Sequence, residues 1–117
     1  MPRRILLVDD VTFSLEFQKN IIESIDESIE VVTASTVKEA KTAVQQNHFN
    51  IAMLDMQLPD GEGVEIAKIL KENYPDTFVV AITIYPSRYR QYEGLFDAFL
   101  AKPVQENDFR HVLLKML

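Results

Sequence analysis

Four runs of consecutive apolar residues divide the chain, and none of them shows the spacing of an amphipathic helix. They cover residues 5–8, 51–54, 78–82 and 98–101, and they are short and rich in strand-forming side chains. These properties predict buried β-strands. A fifth, more exposed strand is predicted at residues 30–34. Continuous apolar runs are typical of parallel sheets with both faces covered.

Helical periodicity fills the intervals between these strands. Apolar residues recur every four positions over residues 12–26, which predicts a first helix. Thr36 is the predicted N-cap of a second, with Glu39 at the spacing of a capping box. A third stripe ends before Pro75, and a fourth lies at the end of the sequence. The segment 87–94 is polar and predicts only a brief helix. The stripes are Phe13, Phe17, Ile21 and Ile25; Val37, Ala40 and Val44; Val64, Ala67 and Leu70; and Phe109, Val112, Leu113 and Met116.

Strand and helix therefore alternate five times. This alternation predicts an α/β fold with an open, doubly wound parallel sheet and right-handed crossovers. The helix between the fourth and fifth strands is expected to be shortened. In such folds ligands bind outside the carboxyl ends of the strands, so the residues that follow each strand are the first candidates for function.

Composition narrows the class of protein. A length of 117 residues predicts one domain over residues 1–117. The net charge of −6 disfavours direct binding to nucleic acid or to an anionic membrane. The chain has no cysteine, which excludes disulfides and thiolate chemistry. Because no run approaches the roughly 20 apolar residues that cross a bilayer, a soluble, cytoplasmic protein is expected.

Polar side chains follow four of the predicted strands, at the edge where ligands bind. Three carboxylates, a hydroxyl and an ammonium gathered there describe a site for a divalent cation and a phosphoryl group. Adjacent carboxylates repel one another, and Mg²⁺, which prefers oxygen ligands, would offset that repulsion. A carboxylate can also act as a covalent nucleophile towards phosphorus. In chain order the candidates are Asp9 and Asp10, Asp55, Thr83, and Lys102 followed by Pro103.

Each candidate also has an ordinary structural explanation. Asp9 and Asp10 can start a helix, Thr83 can be a plain strand residue, and Lys102 can be solvated. Their coincidence at four strand ends favours the site. The loop 58–63 is rich in turn residues and is predicted to fix Asp55 and to offer the backbone carbonyl of Gln57 to a metal.

With these residues in place, the sequence resembles the receiver domain of bacterial two-component response regulators over essentially the whole chain. The resemblance implies a flavodoxin-like, five-stranded sheet with strand order 2-1-3-4-5. The residues that carry it are ILLVDD at 5–10, Asp55 with LPDGEG at 58–63, Thr83, and Phe99 with Lys102 and Pro103.

The resemblance implies a role for each carboxylate. Asp55 would be the phosphoacceptor and a ligand of Mg²⁺. Asp10 would bind the ion directly, Asp9 mainly through water, and Gln57 through its backbone carbonyl. The phosphodonor would be a histidine kinase, a phosphotransfer protein or a small molecule such as acetyl phosphate.

The resemblance also implies a two-state switch rather than a turnover enzyme. Thr83 would move towards the phosphoryl group, Lys102 would pair with it, and Phe99 would change rotamer. A downstream protein or an output domain would read the altered surface, and a homodimer is a further assembly to consider. Three features depart from the family pattern. Ile84 stands where a small residue is usual, the stretch before Lys102 is about one helical turn short, and Phe99 replaces the tyrosine that is often seen and lacks its hydroxyl.

Three other functions share part of this pattern. A haloacid-dehalogenase-type phosphatase needs a second carboxylate two residues after the nucleophile, where this chain has Gln57. A flavodoxin would place a phosphate beside Asp9 and Asp10, which would repel it. A receiver-like scaffold that binds partners without being phosphorylated remains open.

Overall fold

Five parallel strands form the central sheet. The structure is a computed structural model and describes residues 3–117. Counting only the strands of this sheet, their order is β2-β1-β3-β4-β5, and every neighbouring pair is parallel. This order confirms the predicted fold. The strands are β1 Arg4–Val8, β2 Glu30–Ala34, β3 Ile51–Asp55, β4 Phe78–Thr83 and β5 Ala98–Ala101.

Helices cover both faces of the sheet. Because successive strand side chains point to opposite faces, two separate core clusters form. One includes Leu54 and lies under α2, α3 and the segment after β4, whereas the other includes Met53 and lies under α1 and α4. No helix in residues 3–117 is long and apolar enough to cross a membrane. The helices are α1 Thr12–Ile25, α2 Val37–Gln46, α3 Gly63–Asn73 and α4 Glu106–Met116.

Most of the predicted helix stripes face the core, but two of their residues do not. Phe13 is 78% exposed and Met116 is 41% exposed, although the helices that their stripes predict are present. Phe13 lies in the first turn of α1, where it lines an open groove with Ile84 and Val104 instead of packing on the sheet. Met116 is the last residue of α4. At both positions the periodicity extends beyond the part of the helix that covers the sheet.

The predicted brief helix between β4 and β5 is a 3₁₀ segment, Pro86–Leu95, with a kink at Tyr92. The segment begins with proline and has no apolar stripe. Within it, Tyr89 is the buried residue, and its side chain joins the core cluster under α3. This irregular segment confirms the expectation of a reduced fourth helix.

Candidate functional site

Asp55 and Lys102 are in direct contact at the carboxyl edge of the sheet. Asp55 ends β3 and is only 4% exposed. Nζ of Lys102 donates a hydrogen bond of 2.7 Å to Oδ2 of Asp55, and Oδ1 accepts one of 3.1 Å from the amide of Gln57. Lys102 follows β5, and its peptide bond to Pro103 is cis. The ammonium therefore already neutralises the carboxylate that the sequence predicts as the phosphoacceptor.

Asp9 is the buried member of the predicted acidic pair. Its side chain is 1% exposed, whereas Asp10 is exposed. Oδ1 of Asp9 accepts a hydrogen bond of 2.9 Å from the amide of Val11. Oδ2 is buried with no hydrogen-bond partner among the described residues, because Nζ of Lys102 is 3.6 Å away. A buried carboxylate oxygen without a partner is costly, so this atom marks a place where a cation would be favoured.

The three carboxylates form a cluster that fits a hard divalent cation. One oxygen each from Asp9, Asp10 and Asp55 lies within 4.8 Å of the others. Asp10, Asp55, Gln57 and Lys102 line the same open pocket. Mg²⁺ takes oxygen ligands and keeps several waters, so an open pocket with a few carboxylates suits it. The donor set, together with the unpartnered oxygen of Asp9, therefore agrees with the predicted magnesium site.

Burial and nearby charges together shift the pKa values of Asp9 and Lys102. Burial is the largest cause that raises the pKa of Asp9, and the charges of Asp55 and Asp10 raise it further. For Lys102, burial alone would lower the pKa. The hydrogen bond to Asp55 and the nearby carboxylate charges outweigh burial, so the pKa of Lys102 is raised. Lys102 thus remains a full positive charge between two carboxylates.

We expect Asp9→Asn to stabilise the metal-free protein at pH 7 by about 1–2 kcal/mol, because it removes a buried charge with an unpartnered oxygen. The folded pKa of Asp9 lies above its usual value of 3.8, so folding favours protonation of this group. The unfavourable contribution of Asp9 to wild-type stability should therefore diminish as the pH falls through that folded pKa. The advantage of the variant should shrink towards about pH 4.

Thermal unfolding in EDTA across this pH range measures the effect. Glu72→Gln removes a carboxylate from the exposed side of α3 and is the matched control. A variant that is no more stable than wild type at pH 7, or whose advantage grows in acid, would contradict this account.

The two predicted switch residues lie on adjacent strands and share a face of the sheet. Thr83 ends β4 and is 2% exposed, and its Oγ1 accepts a hydrogen bond of 3.0 Å from the amide of Tyr85. Phe99 on β5 pairs with Ala81, two residues before Thr83. It is half-buried, and its ring packs edge-on against Phe96 at 5.3 Å between centroids. The hydroxyl of Thr83 therefore already has a hydrogen-bond partner in the turn that follows β4.

A short hairpin follows Asp55 and carries the predicted metal ligand Gln57. Residues Gln57–Leu58 pair with Gly61–Glu62 in antiparallel fashion. Glu62 and Glu65 then form a reciprocal capping box at the start of α3. The hydroxyl of Tyr89 lies 3.5 Å from Oε1 of Glu62.

Sequence reasoning missed two contacts of this loop. Asp60 bonds to the start of α2, and Tyr89 connects the 3₁₀ segment to Glu62. The turn residues identified the loop, but nothing local in the sequence indicates which distant groups it contacts. Tyrosines in an otherwise polar segment were the available signal, but they do not single out Tyr89 from Tyr92.

Comparison with known proteins agrees with this geometry. The sequence model of the response regulator receiver domain matches residues 5–114. The chain belongs to the receiver-domain family of response regulators. Receiver domains are signalling modules that bind Mg²⁺ at an acidic pocket. They interact with histidine kinases or phosphotransfer proteins and with output domains.

Individual relatives support the assignment. This receiver domain is 32% identical to the photosynthetic apparatus regulatory protein RegA of Cereibacter sphaeroides, over 96% of this chain and 61% of RegA. It is 34% identical to the response regulator protein PilR of Pseudomonas aeruginosa, over 73% of this chain and 20% of PilR. The chain therefore spans only part of the length of these two relatives.

A solved structure shows the same fold. It is a CheY-like response regulator receiver domain protein from Methanospirillum hungatei, with 30% identity and a TM-score of 0.87. The match covers 98% of this chain and 93% of that one. Of the alternatives raised by the sequence, the unphosphorylated scaffold is the one compatible with this family.

Proposed function

We propose that this receiver domain, residues 1–117, is a phosphorylation-dependent switch that accepts a phosphoryl group on Asp55. The observation that carries the proposal is the position of the Asp55 carboxylate, which lies at a strand end within reach of one ammonium and two further carboxylates. The donor would be a histidine kinase, a phosphotransfer protein or acetyl phosphate. We further propose that the domain acts in the cytoplasm, where it would meet these donors.

In the transfer step an oxygen of Asp55 attacks phosphorus and forms an acyl phosphate. The bond from phosphorus to the donor breaks, and its electron pair leaves with the donor group. Lys102 bonds to Oδ2 of Asp55, so it is placed to stabilise negative charge that develops on the phosphoryl oxygens. Asp55 supplies the nucleophile as the carboxylate that pairs with Lys102, so the step includes no separate general base.

Mg²⁺ would be held by Asp10, Asp55 and the backbone carbonyl of Gln57, with Asp9 acting through water. When bound, the ion would offset the charge of the carboxylates and of the incoming phosphoryl group. The Oδ2 of Asp9, which has no hydrogen-bond partner within residues 3–117, supports this assignment, because a hydrated cation supplies hydrogen-bond donors.

The switch would use Thr83 and Phe99. A phosphoryl group adds a charge of about −1.5 to −2, which favours hydroxyl and ammonium donors turning towards it. Thr83 would exchange its contact with the amide of Tyr85 for one with the phosphoryl group, and Phe99 could repack on the same face of the sheet. The surface formed by the 3₁₀ segment, β5 and α4 would then differ between the two states, and a downstream protein or output domain would read it.

Intact-mass spectrometry tests this proposal. Wild-type protein is incubated with acetyl phosphate, with Mg²⁺ or with EDTA, beside Asp55→Asn as the matched control. We expect a Mg²⁺-dependent gain of one phosphoryl group in the wild type and none in the variant. No gain from acetyl phosphate or from any tested kinase, together with no binding of Mg²⁺ or beryllofluoride, would favour the unphosphorylated scaffold.

A further inference from the structure

The loop after Asp55 is fastened to the N-terminus of α2 by one side chain. Oδ1 of Asp60 accepts a hydrogen bond of 2.7 Å from the amide of Val37, and Oδ2 accepts one of 3.0 Å from the amide of Lys38. The bond from Val37 is the main reason that the pKa of Asp60 is lowered. Asp60 therefore stays ionised, and a negative charge is favoured at the N-terminus of a helix.

Helix α2 also has a cap of its own. Oγ1 of Thr36 accepts a hydrogen bond of 3.0 Å from the amide of Glu39, and its carbonyl accepts one from Ala40. The first amides of α2 are thus satisfied from two sources. Thr36 caps α2 from within the same segment, whereas Asp60 caps it from a loop more than twenty residues further along the chain. Both residues cap α2, but only Asp60 also connects α2 to the loop after Asp55.

What Asp60 holds is the turn of the hairpin that carries Gln57. In that hairpin Gln57 pairs with Glu62 and Leu58 pairs with Gly61, so Pro59 and Asp60 form the connecting turn. A Cβ at Gly61 would overlap the carboxylate of Glu65 and press on Val37. The turn is therefore packed tightly between α2 and α3, with the carboxylate of Asp60 as its polar contact to α2.

We propose that Asp60 is a positioning residue for the metal site, because it holds the hairpin against α2 and so fixes the direction of the Gln57 carbonyl. This inference rests on the proposed function, in which that carbonyl is a Mg²⁺ ligand. Without the two bonds to α2, the hairpin would occupy the binding-competent arrangement for a smaller fraction of the time. Apparent affinity falls in proportion to that fraction.

The test compares Asp60→Ala with Thr36→Ala. Each substitution removes one cap of α2, so both should lower the melting temperature by a few degrees. Only Asp60→Ala also removes the contact that holds the hairpin against α2. Calorimetric titration with Mg²⁺ alone, without a phosphodonor, should show a dissociation constant about tenfold weaker for Asp60→Ala. That of Thr36→Ala should stay within about twofold of wild type.

Asp60→Asn separates the effect of the cap from that of the charge. Like Asp60→Ala it removes the negative charge, but it keeps one acceptor for an α2 amide. An affinity between those of wild type and Asp60→Ala supports the proposal, and this variant also serves if the alanine variant does not fold. Equal weakening by Asp60→Ala and Thr36→Ala, or equal affinities of Asp60→Ala and wild type, would overturn it. Wild-type protein that binds no Mg²⁺ would overturn the metal site of the proposed function and this inference with it.

Discussion

Gly63→Ala is expected to lower the free energy of unfolding by about 3 kcal/mol, at the upper end of what overpacking costs. Gly63 is the first residue of α3, and its amide donates a hydrogen bond to the carbonyl of Met56. A Cβ there would overlap the backbone carbonyl oxygen of Asp55 and press on the Met56 side chain. Neither the strand end nor the first turn of α3 can shift without disturbing the other.

Chemical denaturation followed by circular dichroism measures this loss, and Gly61→Ala is the matched control. The overlap at Gly61 is with the end of the Glu65 side chain, which can rotate away and lose its bond to the Glu62 amide. We expect that variant to lose about 1 kcal/mol. Similar stabilities of the two variants would show that α3 can move away from Asp55, contrary to the packing described here.

Lys102→Met is expected to slow phosphorylation by acetyl phosphate about 100-fold, because it removes a preorganised charge from the reacting centre. The same change should tighten binding of Mg²⁺ in the unphosphorylated state. The ammonium bonds to Oδ2 of Asp55 and lies 3.6 Å from Asp9, so it competes with a cation for the same carboxylates. Single-turnover mass spectrometry and calorimetric titration measure the two quantities.

A matched control for net charge is Lys71→Met, which removes the same charge from the exposed last turn of α3. It should leave both the rate and the affinity near their wild-type values. If Lys102→Met weakened Mg²⁺ binding, the lysine would be acting by shaping the pocket rather than by competing for its carboxylates.

The sequence was sufficient to predict that the candidate side chains converge, because parallel strands bring their carboxyl ends to one edge. Asp9, Asp55, Thr83 and Lys102 each follow or end a recognisable apolar run, so their convergence is a property of the topology. The bounds of the strands differ from the predicted ones by at most one residue. The buried stripes of α2 and α3 could be predicted because apolar residues recur there with the period of a helix.

What could not be predicted depends on contacts between distant segments. The exposure of Phe13 depends on how far α1 extends past the sheet, which its own periodicity does not encode. The bonds from Asp60 to Val37 and Lys38 join a turn to a helix start, and either element could have been capped locally. The ion pair between Lys102 and Asp55 was expected with a phosphoryl group, whereas in the structure the ammonium bonds to the carboxylate itself.

The 3₁₀ segment has a thermodynamic consequence for signalling. Its buried anchor is Tyr89, and the rest of its polar side chains face solvent or lie at the margin of the core. A segment with so little buried apolar surface opens locally at a lower free energy than the sheet unfolds. A modest change at Thr83, whose hydroxyl holds the amide of Tyr85, can therefore redistribute the conformations of this surface while the five strands stay intact.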